Sequence, residues 1–517
     1  MSRASAISRS ALSEASSIIE RLAAGADDAP AVLAPERAAL SHGALRRQIR
    51  AAAEQLHALG LGRNDRVAIV LPNGPEMATA FLSVAACAST APLNPAYRAE
   101  ELDFYLSDIG AKAILVAEGE TGPAVEVAGK LGIGVLRLVA LADAPAGSFR
   151  IEGGAIGPAA ASELAQPSDI ALLLHTSGTT SRPKLVPLSH ANLAASARHI
   201  GATLALTPGD RCLNIMPLFH IHGLIAAVLS SLAAGSSVFC TPGFNALRFF
   251  QWLTEAKPSW YTAVPTMHQA ILARAARNEE ALAAAKLRFI RSSSASLPAQ
   301  VMAELEATFR CPVIEAYGMT EAAHQMASNR LPPGQRKAGS VGASAGPDLA
   351  VMAPDGTLLQ AGAQGEIVIR GPNVTAGYAK NPEANAAAFA FGWFHTGDQG
   401  VLDEDGYLRV TGRLKEIINR GGEKISPLEV DDVLMDHPDI AQCVTFAMPH
   451  DKLGEEVAAA IVLREGRSAS ESEIRTFASG RLADFKVPRR IVILDEIPKG
   501  ATGKLQRIGL AAKLGLG

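Results

Sequence analysis

Between residues 43 and 316, short apolar runs rich in β-branched side chains alternate with segments of helical length. That alternation leaves a chain very few folds. Strands buried on both faces read as unbroken apolar runs, and parallel neighbours need crossovers long enough to hold a helix. The strand-like runs lie at 66–71, 112–116, 171–174, 211–215, 237–239, 260–264, 287–290 and 313–316. Helices are expected between them, as at 75–87. Ser41 and Gly60 sit where an N-cap and a left-handed C-terminal residue would bracket another helix. The predicted fold class is α/β, with doubly wound parallel sheets. Ligands of such sheets bind beyond the carboxyl ends of the strands. Residues 142–169, rich in Ala, Gly, Pro and Ser, are expected to form a surface connection.

The texture changes after Gly397. Asp403, Asp405 and Gly406 mark a turn, so 401–411 is a predicted hairpin. Residues 413–424 are charged and glycine-rich. Ser426, Pro427 and Glu429 then form a capping pattern with proline at the first helical position, and Ser470 with Glu473 repeats the cap. Strand-like runs at 458–463 and 491–494 complete a small α+β unit. The expected domains are 1–414 and 415–517, with the boundary near Lys415.

Composition removes some functional classes. Charged residues are 19% of the chain and the formal net charge is −3, which gives neither a nucleic-acid footprint nor a polybasic membrane anchor. No apolar run approaches the ~20 residues of a membrane-spanning helix. The first residues lack the apolar core of a secretory signal. Cys87, Cys212, Cys240, Cys311 and Cys443 form no CxxC pair or Cys/His cluster, and read as buried free thiols in a reducing, cytoplasmic compartment.

The strand-like run at 171–174 leads into HTSGTTSRPK over 175–184. The hydroxyls of Thr176, Ser177, Thr179 and Thr180, backbone N–H groups freed by Gly178, and the terminal Lys184 suit a polyphosphate. The spacing is not GxxxxGK[ST], so this is no Walker A loop. A Ser/Thr-rich surface turn is the other reading of the loop taken alone.

From this loop onward the sequence resembles the adenylate-forming superfamily of acyl-CoA synthetases, luciferases and peptide-synthetase adenylation domains. The resemblance covers about 30–510 and rests on motifs in order: the 175–184 loop, EAYGMTE over 315–321, GWFHTGD over 392–398, GRLKEIINRGGEK over 412–424 and PKGATGK over 498–504. It implies a large N-terminal domain of doubly wound sheets with a small β-barrel-like part, and a smaller, mobile C-terminal domain. It implies ATP, Mg²⁺ and coenzyme A as reactants or cofactor, small-molecule partners only, and an acyl-adenylate intermediate. By the same resemblance Glu315, Ala316, Tyr317, Gly318 and Thr320 belong to the nucleotide site. Glu321 is the Mg²⁺ ligand, Asp398 holds the ribose and Arg413 meets ribose or phosphate. Lys504 is the catalytic cation that offsets charge as a carboxylate attacks the α-phosphate. Lys415 matches the hinge, and Arg420, Gly421 and Gly422 lie in the segment brought toward coenzyme A. Ser181 and Leu185 stand where the family commonly has Gly. A side chain at 185 cannot adopt Gly-only backbone angles, which leaves the geometry after Lys184 open.

Within the superfamily the closest resemblance is to the oxalate–CoA ligase branch. It is carried by the 175–184 loop, PLFHIHG over 217–223, WYTAVPT over 260–266, FIRSSSAS over 289–296 and MTEAAH over 319–324. A small dianion needs convergent donors, and His220, Ser294 and His324 are the candidates. Against this, His220 is a common gate residue in the family, Ser294 precedes a helix it could cap, and His324 could be a satisfied helix residue. The alternatives are malonate, a medium-chain or aromatic acid, a standalone adenylation enzyme loading a carrier protein, and a non-catalytic nucleotide-binding relative.

Overall fold

The computed structural model describes residues 16–176, 183–498 and 505–517. Two large sheets dominate it. The first has seven strands in the order Phe149–Gly153, Gly134–Ala140, Ala113–Ala117, Arg66–Val70, Ser89–Pro92, Ile170–His175 and Leu185–Ser189. Its interior pairs are parallel and both edge pairs antiparallel. The second has nine strands, with a parallel centre running through Pro30–Leu33, Ser237–Cys240, Arg211–Asn214, Trp260–Ala263, Phe289–Ser293 and Val313–Met319. The α/β class expected from the alternation is the class observed.

One apolar core is shared by strands of both sheets and the helices His42–Ala58, Pro75–Ala85 and His190–Thr203. Helix Pro75–Ala85 is buried at every position except Glu76, as befits a helix enclosed on all sides. Ser41 caps His42–Ala58 by accepting from the Ala44 N–H, and Gly60 follows at φ +87°.

Sequence patterns miss two features. The expected surface connection at 142–169 contains the strand Phe149–Gly153, antiparallel to Gly134–Ala140. Only Phe149 and Ile151 of this edge strand face inward, so its composition looks like a loop. His222–Leu229 is a π-helix buried throughout; an unbroken apolar run carries no period from which to read it.

A four-stranded antiparallel sheet follows: Asp348–Met352, Gln364–Arg370, Phe394–Leu402 and Leu408–Arg413. The last two strands are the hairpin expected around the turn at 403–406. The C-terminal sheet is built on the long pair Ile440–His450 and Gly454–Leu463, with Arg490–Ile493 added in parallel. Ser426 accepts from the Glu429 N–H with Pro427 at the first helical position, and Ser470 and Glu473 cap each other's ends reciprocally. Apolar side chains of this unit, among them Val430, Leu434 and Ile440, belong to one buried cluster with Ile271 and Leu305 of the nine-stranded layer. The Gln269 amide donates to the Ala441 carbonyl at 2.8 Å, and Arg464 pairs with Glu304 at 3.1 Å.

Trp260 and Phe289 stack at 5.4 Å between neighbouring parallel strands, both without exposed surface. Phe289→Ala should cost about 3–5 kcal/mol, since a buried aromatic leaves a cavity its neighbours fill only in part. A thermal melt lower by several degrees would be the sign, and an unchanged melt would contradict this packing.

Candidate active site

The strand Val313–Met319 leaves the carboxyl end of the nine-stranded sheet, makes the short turn Thr320–Ala322, and returns antiparallel as His324–Ser328. Gly318 permits the reversal. A Cβ there would lie 1.8 Å from the His324 carbonyl oxygen, closer than any contact a side chain tolerates. The turn places Tyr317, Thr320, Glu321 and His324 together, as the expectation that motifs gather at strand ends requires.

Two polar clusters grow from this turn. In the first, the Tyr317 hydroxyl donates to Asp398 at 2.5 Å, and the Arg413 Nε donates to the other carboxylate oxygen at 3.0 Å. Asp398 is 6% exposed, whereas the Arg413 side chain is about half exposed at 49%. Asp398 therefore presents a held carboxylate with spare acceptor capacity. In the second, the Tyr378 hydroxyl donates to Glu321 at 2.8 Å, and the Lys184 ammonium lies 4.5 Å from the centre of the Tyr378 ring. Burial pushes the Glu321 pKa up, while Tyr378, Arg413 and Lys184 pull it back. Tyr378 was not singled out from sequence. Its role arises from a contact 57 residues away in the chain, and no local pattern announces it.

Thr176 and Lys184 close the base of the phosphate loop: each backbone N–H bonds across to the other residue, at 2.9 Å and 3.1 Å. Ser177, Gly178, Thr179, Thr180 and Ser181 lie outside the described residues. Leu185 is extended, pairs with His175 and is 3% exposed in the core. The geometry after Lys184 is thus an ordinary strand, and no glycine angle is needed at 185.

The acid-pocket candidates converge. Ser294 bonds His222 Nδ1 at 3.0 Å, and the rings of His222 and His324 meet edge-on at 4.9 Å. The His222 N–H donates to His220 Nδ1 at 3.3 Å. His222 Nε2 lies 2.6 Å from the Thr262 hydroxyl. Ser294 and His324 both hold positive φ, +75° and +101°, angles that cost a non-glycine residue about 1–3 kcal/mol. Ser294 caps no helix; Pro298 occupies the cap of Ala299–Phe309. His324 lies on a strand. His222 is the central residue of this cluster, yet sequence reading selected only His220 from the same motif. A second His two residues on was the available signal.

At the hinge candidate, the Leu414 N–H donates to the Gly397 carbonyl and the Glu416 N–H to Arg413, so Lys415 sits in a turn directly after the Asp398–Arg413 pair. Glu416 pairs with Arg507, which also reaches Asp431 at 2.5 Å and the Thr445 carbonyl at 2.8 Å. Lys504 lies outside the described residues. Its described flanks, Ile497 and Leu505, pack on one small core with Val444 and Phe446. Arg420 turns its guanidinium to Glu456 at 2.6 Å, and Gly421 and Gly422 form the left-handed turn beside it.

Glu315 and Ala316 are buried, each 2% exposed. One Glu315 carboxylate oxygen accepts from the Leu297 N–H at 2.9 Å, the other has no partner, and burial raises its pKa to about 8. A carboxyl with a folded pKa above its unfolded value favours the fold at low pH, and that advantage is lost as pH rises through about 8. Glu315→Gln keeps the acceptor without the charge. It should leave the melting temperature near wild type at pH 5 and raise it relative to wild type at pH 8. An equal effect at both pH values would contradict a buried, neutral Glu315.

Comparison with known proteins agrees with this geometry. The sequence matches the model of the AMP-binding enzyme family over residues 19–379 and that of the AMP-binding enzyme C-terminal domain over 429–504. The probable CoA ligase CCL9 of Humulus lupulus is 48% identical, over 95% of this chain and 94% of its own. The oxalate–CoA ligase of Arabidopsis thaliana is 47% identical, over 95% of this chain and 97% of its own. The crystal structure of ATP-bound MatB from Rhodopseudomonas palustris is 30% identical with a TM-score of 0.84, covering 95% of this chain and 97% of that one. Matched along most of its length by family, relatives and fold, this chain belongs to the AMP-binding enzymes.

Proposed function

We propose that this enzyme is an AMP-forming acid–thiol ligase that joins oxalate to coenzyme A. A carboxylate oxygen attacks the α-phosphorus of ATP and diphosphate leaves. The thiol of coenzyme A then attacks the acyl carbon of the adenylate and AMP leaves. The observation that carries the choice of acid is the meeting of His222, Ser294 and His324 at one point, with His220 beside them. Buried donors of this kind suit a short dianion and reject an alkyl acid, which would leave them unpaired. The Arabidopsis relative, named an oxalate–CoA ligase, supports the same reading.

The roles proposed for the nucleotide site rest on the resemblance of the motifs, and the clusters are compatible with them. Thr176 to Lys184 cradles the phosphates, Lys184 being steered by the Tyr378 ring. Tyr317 covers the adenine, Asp398 and Arg413 hold the ribose, and Thr320 donates to the α-phosphate. Among the described residues no group of three or more His, Cys, Asp or Glu side chains could cage a metal. A magnesium ion fits a site of this composition, because it binds through one or two carboxylates, phosphate oxygens and water. Glu321 would hold it, and the ion would neutralise phosphate charge. Lys504, in the segment between Ile497 and Leu505, is the cation for adenylate formation. Lys415 is the hinge on which the domain of residues 415–517 turns against that of 1–414, bringing Arg420, Gly421 and Gly422 toward coenzyme A for the second step. Among the described residues no helix is long and apolar enough to cross a membrane. The five buried free thiols suit a reducing cytoplasm.

Thioester production measured side by side with oxalate, malonate, acetate and octanoate should favour oxalate. Preference for octanoate would sink the choice of acid, and adenylate without any thioester would favour a carrier-loading enzyme. Lys504→Ala should abolish adenylate formation, yet leave thioester formation from supplied adenylate largely intact; equal loss of both steps would refute this division. His324→Ala should raise KM for oxalate about tenfold or more, the worth of a charge-assisted hydrogen bond. KM for ATP should stay near wild type, and an unmoved oxalate KM would take His324 out of the pocket.

A further inference from the structure

Arg291 lies in the middle of the strand Phe289–Ser293 with no exposed surface. Other arginines in the fold meet acids: Arg63 with Asp169, Arg288 with Asp210, Arg420 with Glu456. Arg291 does not. One guanidinium nitrogen donates to Gln325 Oε1 at 3.3 Å, a second approaches His222 Nε2 at 3.5 Å, and its Nε has no partner. Among the described residues no carboxylate pairs with it, and burial pulls its pKa down to about 9. A buried cation without a counter-ion is strongly unfavourable unless an anion reaches it.

Its neighbours indicate where that anion would sit. Guanidinium N–H groups only donate, so in the arrangement in which Arg291 bonds His222, at 3.5 Å, Nε2 is the acceptor. The Thr262 hydroxyl lies 2.6 Å from the same nitrogen and takes the role the tautomer leaves it. In that tautomer the ring proton is on Nδ1 and directed at Ser294 Oγ, 3.0 Å away. With Ser294 Oγ accepting from His222, its own O–H is turned away as a donor. The residue it turns from, His222, faces His324 across 4.9 Å.

We propose that Arg291 is a positioning residue that sets specificity for a dianionic acid. Its buried charge favours the second carboxylate, and its hold on His222 fixes the tautomer that makes Ser294 a donor to that carboxylate. This rests on the pocket being the acid site, and it names a determinant beyond the residues that touch the acid. The fork geometry matters as much as the charge, because one nitrogen serves His222 while another serves Gln325.

The test compares oxalate with glyoxylate, a monoanion of the same skeleton, by acid-dependent ATP–diphosphate exchange in wild type, Arg291→Met and Arg291→Lys. Wild-type turnover of a dianion tests the substrate reading, and the variants test Arg291, so the two can fail separately. Arg291→Met should lower the oxalate-to-glyoxylate ratio of kcat/KM about tenfold or more, mostly through KM for oxalate, with KM for ATP unchanged. Arg291→Lys keeps a cation but not the fork; it should lower the ratio by less, and reports the same quantity if the Met variant is insoluble. Ser294→Ala should cost less selectivity in the Arg291→Met background than in wild type, since one acts through the other. Equal loss for both acids, an unchanged ratio in the soluble variants, or additive effects of Arg291 and Ser294 would overturn the proposal.

Discussion

One carboxylate joins parts of this site that belong to different layers. Asp398 accepts from Tyr317, which rides on the nine-stranded sheet, and from Arg413, which ends the antiparallel sheet. Hydrogen bonds to a buried charge contribute about 1.5–3 kcal/mol each. Tyr317, Asp398 and Arg413 thus form a firmly held unit across two sheets. Lys415 lies immediately beyond the firm part.

The same economy governs the acid pocket. Ser294, Ala323 and His324 hold positive φ, and Gly318 lets the returning strand pass at backbone contact. Strain at these positions is sustained by the sheet on one side and the π-helix His222–Leu229 on the other. The outcome is a polar centre within an otherwise apolar layer. Where such a centre is preorganised, a small ligand with few atoms is chosen by charge and direction rather than by size.

Much of this was legible in the sequence wherever one segment encodes its own outcome. Ser41, Ser426 and Ser470 announced helix starts because capping is a local bond. The parallel strands were legible because burial on both faces leaves an apolar run. The segments with Tyr317, Glu321, Asp398 and Arg413 were found as motifs, and the fold brings these four residues to neighbouring clusters. What sequence could not give depends on partners far along the chain. Tyr378 matters only because Glu321 lies beside it, and Arg291 only because no acid among the described residues does. His222 was passed over for His220, since the choice between them rests on which one meets Thr262 and Ser294. Leu185 seemed to disturb the phosphate loop, but strand pairing with His175 had already made it core.

The proposed chemistry begins with direct attack by the acid on the innermost phosphate of ATP. Oxalate labelled with ¹⁸O in its carboxylates tests this in one experiment, read by mass spectrometry of the nucleotide after a single round of thioester formation. The account predicts one labelled oxygen in the phosphate of AMP and none in diphosphate. Label in inorganic phosphate or diphosphate, or AMP free of label while thioester accumulates, would contradict it.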